Sequence, residues 1–168
     1  NFPWEGNVKL TILSEGSFSL KLRIPYWADS AGLKVNETVV DATAQSGDYV
    51  EITRDWNPGD QVELNLPMEV KLMVSDYKME ETRGQVAIKR GPVVYCLESI
   101  DLPDGVRIED VLIPSDAAWE AEYDEELLGG VTVLKTMAML AKPQGGRIAA
   151  YRELGNSDTE SIPIRLVP

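Results

Sequence analysis

The chain has 168 residues, 43% of them hydrophobic and 26% charged, enough to bury the core of one large or two small domains. A formal charge of −12 repels a phosphate backbone, and no apolar run approaches the roughly 20 residues of a membrane helix, so neither nucleic acid nor membrane is an expected partner. There is no histidine and one cysteine, Cys96, which excludes Ser–His and Cys–His nucleophile pairs, an intrachain disulfide and a cysteine-rich zinc site within these residues.

The opening, Asn1-Phe2-Pro3-Trp4-Glu5-Gly6, reads as the middle of a protein rather than a native start, so localisation stays open. After it the pattern has period two. Val8, Leu10 and Ile12 alternate with Lys9 and Thr11, and Phe18, Leu20, Leu22 and Ile24 alternate with Ser19, Lys21 and Arg23. With Ser14-Glu15-Gly16-Ser17 between them, the two runs predict a β-hairpin with one buried and one wet face. Leu33 to Asn36 and Val39-Val40 predict short strands around a turn. Tyr49 to Ile52 and Gln61 to Leu66 predict two more, joined through Asp55-Trp56-Asn57-Pro58-Gly59-Asp60, where Pro and Gly suit turn positions. Met68 to Met73 alternates again.

The text turns polar from Ser75 to Gly84, which places a soft boundary between two units, 1–78 and 79–168; one larger sandwich is the alternative. Beyond it, Gln85 to Lys89 and Val93 to Leu97 read as strands broken by Arg90-Gly91-Pro92. The nearly continuous apolar run from Pro92 to Leu97 predicts a central strand covered on both faces, with Cys96 a buried small hydrophobe. Trp119 to Tyr123, Val131 to Leu134, Arg147 to Tyr151 and Ile162 to Val167 supply further strands. Helix is scarce: Asp124 to Leu128 allows one turn, and Met137 to Leu140 has no clear period. Many short strands about ten residues apart predict an all-β, antiparallel β-sandwich, jelly-roll-like and built as two small units.

Candidate chemistry is thin. Glu80-Glu81 and Asp124-Glu125-Glu126 are the acidic clusters a glycoside hydrolase pair would draw on, but each is contiguous and in a loop, with no reason for burial or a tuned pKa. Asp55, Asn57 and Asp60 could offer oxygens to calcium, yet the Asn-Pro-Gly-Asp turn already accounts for those residue types. Gly91 and Gly129-Gly130 lack any phosphate-loop context. Trp4, Tyr26, Trp27, Trp56 and Trp119 could stack on a sugar ring; at strand ends, Trp more often plugs a core or anchors a neighbouring domain. Trp4, Trp27 and Trp56 are the set expected to bind sugar or to serve as interdomain anchors.

Four phrases carry a resemblance. They are Phe2-Pro3-Trp4-Glu5-Gly6 with Leu22-Arg23-Ile24-Pro25-Tyr26-Trp27-Ala28 and Val35-Asn36; Tyr49 to Asp60 with Leu66-Pro67-Met68; Arg83 to Glu98; and Leu127-Leu128-Gly129-Gly130-Val131. In this order they resemble the C-terminal region of the bacterial β-L-arabinofuranosidase family, once labelled a domain of unknown function. The resemblance implies a parent glycoside hydrolase with an α/α barrel followed by β-sandwiches, the barrel holding a zinc-bound cysteine nucleophile and an acidic proton donor that act on terminal L-arabinofuranose with retention. The family's nucleophile lies in a paired-cysteine motif upstream of the Pro-Trp phrase, and no such pair is present here. Cys96 sits in a different phrase, so no catalytic residue carries over, and zinc is expected only in the barrel, with no cofactor in this chain. The expected role is accessory: bracing the missing catalytic barrel or mediating assembly, with a homodimer partner as a further option. A carbohydrate-binding module for arabinose-containing plant glycans is the alternative.

Overall fold

The computed structural model describes residues 2–40, 46–141 and 159–168; the strand expected over Arg147 to Tyr151 lies outside them. The described residues are all-β and antiparallel, with helix confined to three 3-10 turns at Glu80–Thr82, Ser99–Asp101 and Ile108–Asp110. No helix among them is long and apolar enough to cross a membrane. The chain divides into two compact units, one of Asn1–Lys71 with Arg90–Val93 and one of Leu72–Lys89 with Val94–Pro168.

The first unit holds two sheets that share one core. In the first sheet, β1 (Asn7–Thr11) and β3 (Gly32–Val35) flank β6 (Gln61–Asn65), and β4 (Thr38–Val39) pairs with the free edge of β3. The register sets Leu10 and Val35 beside Val62, and Val8 and Leu33 beside Leu64, so one face is apolar across three strands. The other sheet is the ribbon of β2 (Gly16–Arg23) and β5 (Tyr49–Trp56), paired from Gly16 with Trp56 to Arg23 with Tyr49. Leu22, Ile24, Val50 and Trp56 pack with Leu33, Val35, Val62, Leu64 and Leu66 in one buried cluster, so the inner stripes of both sheets close on each other.

This arrangement corrects the expected hairpin. β1 and β2 do form where their alternation predicts strands, but β1 pairs with β6 and β2 with β5. Period two marks a strand and its buried face without naming its partner. Setting the two apolar stripes in facing layers buries both, whereas a hairpin would lay them side by side on one open face.

Turn chemistry fixes the edges of this unit. Between β3 and β4, Asn36 and Glu37 take φ of 48° and 65°, the left-handed pair a two-residue hairpin requires. Asn36 is held there by its side chain, which donates to Asp60 Oδ1 at 2.8 Å and accepts from the Gln61 N–H at 2.8 Å. The Gly6 carbonyl accepts the Leu66 N–H at 2.9 Å, and a Cβ at Gly6 would lie 1.8 Å from the Leu66 oxygen. Only glycine permits that approach.

In the second unit the hub is β12 (Val131–Ala141), paired with β10 (Val111–Leu112), β11 (Glu120–Asp124) and β13 (Thr159–Val167). The sheet continues from β13 through β9 (Val93–Leu97) and β8 (Ala87–Arg90) to β7 (Val70–Met73). Leu134 and Ala138 of β12 are buried with Ile162, Ile164 and Leu166 of β13. The run Met137 to Leu140, without a clear period in the sequence, is thus the end of a strand. Asp124 to Leu128 forms a turn rather than a helix, with Asp124 Oδ1 accepting the N–H groups of Glu126 and Leu127 at 3.0 and 3.1 Å.

The strand from Val93 to Leu97 needs a second correction. It lies inside the sheet, between β13 and β8, but only one face is covered: Tyr95 is buried, while Val94 is 56% exposed and Cys96 is exposed. A continuous apolar run is compatible with two-sided burial without requiring it. The next layer decides, and in this chain it covers one side.

Candidate functional site

The aromatic residues singled out in the sequence go to different places. Trp56 closes the core of the first unit at 1% exposure, its Nε1 donating to the Phe18 carbonyl at 3.0 Å and its ring stacked on Phe18 with centroids 5.8 Å apart. A ring so placed has no face for a sugar. Trp27 follows β2 in the turn from Pro25 to Ala28 and packs, half-buried, on the same core. Trp4 is half-buried as well.

Trp4 and Trp27 come together at Arg90-Gly91-Pro92. Arg90 Nη1 donates to the Trp4 carbonyl at 2.8 Å. Gly91 is buried at φ 55°, and a Cβ on it would stand 2.5 Å from Met68 Cε and 3.6 Å from Trp27 Cζ3. The turn therefore lies against Met68 and the edge of the Trp27 indole, with the Arg90 guanidinium on the backbone at Trp4. Composition marked Arg90-Gly91-Pro92 only as a break between strands. The Gly-Pro pair after a lone Arg was the available signal, but nothing local says that an arginine's partner lies at the start of the chain.

Of the other aromatics, Tyr26 is exposed, its ring lying so close over Gly47 that a Cβ there would be 2.3 Å from it. Trp119 borders a cleft of about 530 Å³ in the second unit with Met137, Pro163 and Arg165; its Nε1 is buried without a hydrogen-bond partner among the described residues. At the rim of that cleft Arg165 Nη2 and Nε donate to Asp101 Oδ1 at 2.5 and 3.1 Å. The outer face of β1, β6 and β3 carries a shallow groove of about 620 Å³ bordered by Asn7, Lys9, Lys34, Glu63 and Asn65, with Lys9 and Glu63 paired at 3.2 Å. No aromatic residue lines it.

The acidic groups have local explanations. Glu80 and Glu81 are exposed in a 3-10 turn, Glu125 and Glu126 are exposed in the bend after β11, and Asp124 caps that bend. Asp60 Oδ2 accepts the Asn57 N–H at 2.9 Å while Oδ1 accepts from Asn36, and these hydrogen bonds hold its carboxyl below the usual carboxylate range. The Asp60 oxygens offered to calcium by the sequence thus close the β5–β6 turn. Among the described residues no three of His, Cys, Asp or Glu converge to hold a metal ion, and the single thiol with no histidine does not fit a zinc centre.

Comparison with known proteins assigns both halves. Residues 1–68 match the family described as β-L-arabinofuranosidase, GH127 middle domain, and residues 70–168 match the glycoside hydrolase family 127 C-terminal domain. The chain is 34% identical to a non-reducing end β-L-arabinofuranosidase of Bifidobacterium longum subsp. longum, covering 100% of this chain and 27% of that protein. A GH127 β-L-arabinofuranosidase from Geobacillus stearothermophilus T6 superposes with a TM-score of 0.87 at 36% identity, over 100% of this chain and 26% of its own. A second solved glycoside hydrolase gives 0.87 at 38% identity, over 99% of this chain and 28% of its own. The chain therefore spans about a quarter of the length of these relatives.

Proposed function

Because this chain belongs to glycoside hydrolase family 127, we propose that it is the non-catalytic middle and C-terminal portion of a hydrolase of terminal β-L-arabinofuranosides, and that it braces the catalytic part of that enzyme. The observation that carries the reading is its match to a middle and a C-terminal domain over about a quarter of each relative's length. The chemistry of the residues agrees with it. The acidic clusters are solvated or cap turns, and the single thiol has no histidine to activate it.

The placement of the aromatics supports bracing over glycan capture. A sugar platform needs flat rings open to solvent along one face. Trp56 is spent on the core, Trp4 and Trp27 are half-buried about one turn, and no aromatic ring lines the outer groove of the first sheet.

The test is an assay of the purified 168-residue chain on a chromogenic β-L-arabinofuranoside, with zinc and a thiol reductant present. The expected outcome is no turnover, beside an active longer family member. Turnover that survives repurification would overturn the non-catalytic reading. Removal of this region from the longer enzyme is expected to lower the melting temperature of what remains.

A further inference from the structure

We propose that Arg90 is a positioning residue, an inference that rests on the bracing role above: by holding the Trp4 carbonyl, it fixes the segment through which a longer family 127 polypeptide enters these domains, and with it the direction in which the preceding part stands.

The segment ahead of β1 is tied at two points. Arg90 Nη1 donates to the Trp4 carbonyl at 2.8 Å, and the Leu66 N–H donates to the Gly6 carbonyl at 2.9 Å. Met68 joins the two. A Cβ on Gly6 would lie 3.1 Å from Met68 Cγ, and a Cβ on Gly91 would lie 2.5 Å from Met68 Cε, so this one side chain runs from the entry segment to the turn beside Arg90. Both glycines are buried, and Trp4 and Arg90 are half-buried. A segment outside the first strand is loosely held unless specific contacts tie it down. Here a charged donor, a backbone hydrogen bond and a packed thioether all meet the stretch from Trp4 to Gly6.

The donor comes from the other matched domain. Trp4 and Gly6 lie in residues 1–68, matched by the middle domain, and Arg90 lies in residues 70–168, matched by the C-terminal domain; yet Arg90–Val93 belongs to the same compact unit as Asn1–Lys71. In relatives about four times as long as this chain, the middle and C-terminal domains follow the larger part of the polypeptide. A free junction would let that part swing, as a flexible linker does. A junction clamped at Trp4 passes the orientation of the unit on to the part that precedes it.

The experiment measures amide hydrogen exchange over residues 3–7 in the longer protein, comparing the parent with Arg90→Gln, Arg90→Lys and Trp56→Phe. Arg90→Gln is expected to quicken exchange there about tenfold, as loss of a charge-assisted hydrogen bond that closes a local segment requires. Arg90→Lys keeps a charged donor and is expected to recover part of the protection. Trp56→Phe weakens the core of the same unit and is expected to leave residues 3–7 unchanged. Equal quickening by Arg90→Gln and Trp56→Phe would make Arg90 a general stabiliser and overturn the proposal. A Lys variant as fast as the Gln variant would assign the effect to packing and overturn it too.

Small-angle scattering reads the consequence. Arg90→Gln is expected to enlarge the radius of gyration of the longer protein and leave that of the 168-residue chain unchanged. An equal rise in the short chain would mean loss of fold rather than of orientation, and would sink the proposal. Deletion of residues 1–168 from the longer protein separates the two readings. If the remainder melts unchanged, the bracing role itself fails; if it melts lower while Arg90→Gln leaves the radius of the longer protein unchanged, only the assignment to Arg90 fails.

Discussion

Arg90 Nη1 stands 2.8 Å from the carbonyl oxygen of Trp4, a contact made across 86 positions of sequence. It is the polar half of a joint whose apolar half is Gly91 against Met68 and Trp27. A guanidinium bound to a part-buried carbonyl is worth more than a neutral hydrogen bond, because neither group finds an equal partner once the joint excludes water.

Arg90→Gln is expected to destabilise the chain by about 1.5 to 3 kcal/mol, the usual range for a lost charged hydrogen bond. Urea unfolding followed by circular dichroism measures it. An unchanged midpoint would mean that the contact contributes nothing net, and that Met68, Trp27 and Gly91 hold the joint by packing alone.

Gly6→Ala tests the close approach to Leu66. The new methyl would meet backbone rather than a movable side-chain tip, with 1.8 Å to the Leu66 oxygen and 2.8 Å to its carbon. The chain must shift, and the hydrogen bond from the Leu66 N–H to the Gly6 carbonyl is strained with it. The expected cost is about 3 kcal/mol, the upper end for overpacking. Thermal melting reads it, and a variant as stable as the parent would show that Gly6 is not confined by Leu66.

Trp56 separates a core role from a surface one. Trp56→Ala is expected to cost about 3 to 5 kcal/mol, as large cavities in cores do. Trp56→Phe keeps most of the ring and loses the Nε1 bond to the Phe18 carbonyl, for about 1 to 2 kcal/mol in chemical denaturation. Arabinan or other glycan binding by the folded Trp56→Phe variant should match the parent chain, since the ring is not on the surface.

Asp60 predicts a pH dependence. Its carboxyl is held below the ordinary value by the hydrogen bonds from Asn57 and Asn36, so it contributes stability above about pH 4 that is lost as pH falls through its lowered value. Asp60→Asn should melt lower than the parent at pH 7, with the gap narrowing as the pH drops into the acid range. Melting curves from pH 7 to pH 2.5 measure it, and a gap that stays constant would assign the effect to shape rather than charge.

Much of the architecture was legible in the residues alone. The alternation of Val8 with Leu10 and of Leu20 with Leu22 marks strands and their inner faces, because a pleated chain puts every second side chain on one side. Asn57-Pro58-Gly59-Asp60 marks its turn for an equally local reason: Pro fixes φ, Gly accepts a φ of 94°, and Asp60 caps the Asn57 N–H within three residues. The absence of histidine and of a second cysteine is a property of composition, and it bounds the chemistry whatever the fold.

Strand partners, burial of particular rings and the joint at Arg90 were decided by the tertiary structure. β1 and β2 are neighbours in sequence and lie in different sheets, because period two is satisfied equally by any antiparallel partner and the choice falls to the layer that buries both stripes. Cys96 sits in an apolar run and is exposed, because what covers a strand's second face is another element and not the strand itself. Trp56 and Trp4 follow from similar local text, a Trp next to a turn, yet one is sealed in a core and the other lends its carbonyl to Arg90. Local pattern specifies conformation through neighbouring dihedrals and hydrogen bonds; which side chains meet depends on long-range packing, and that is settled only when the sheets close.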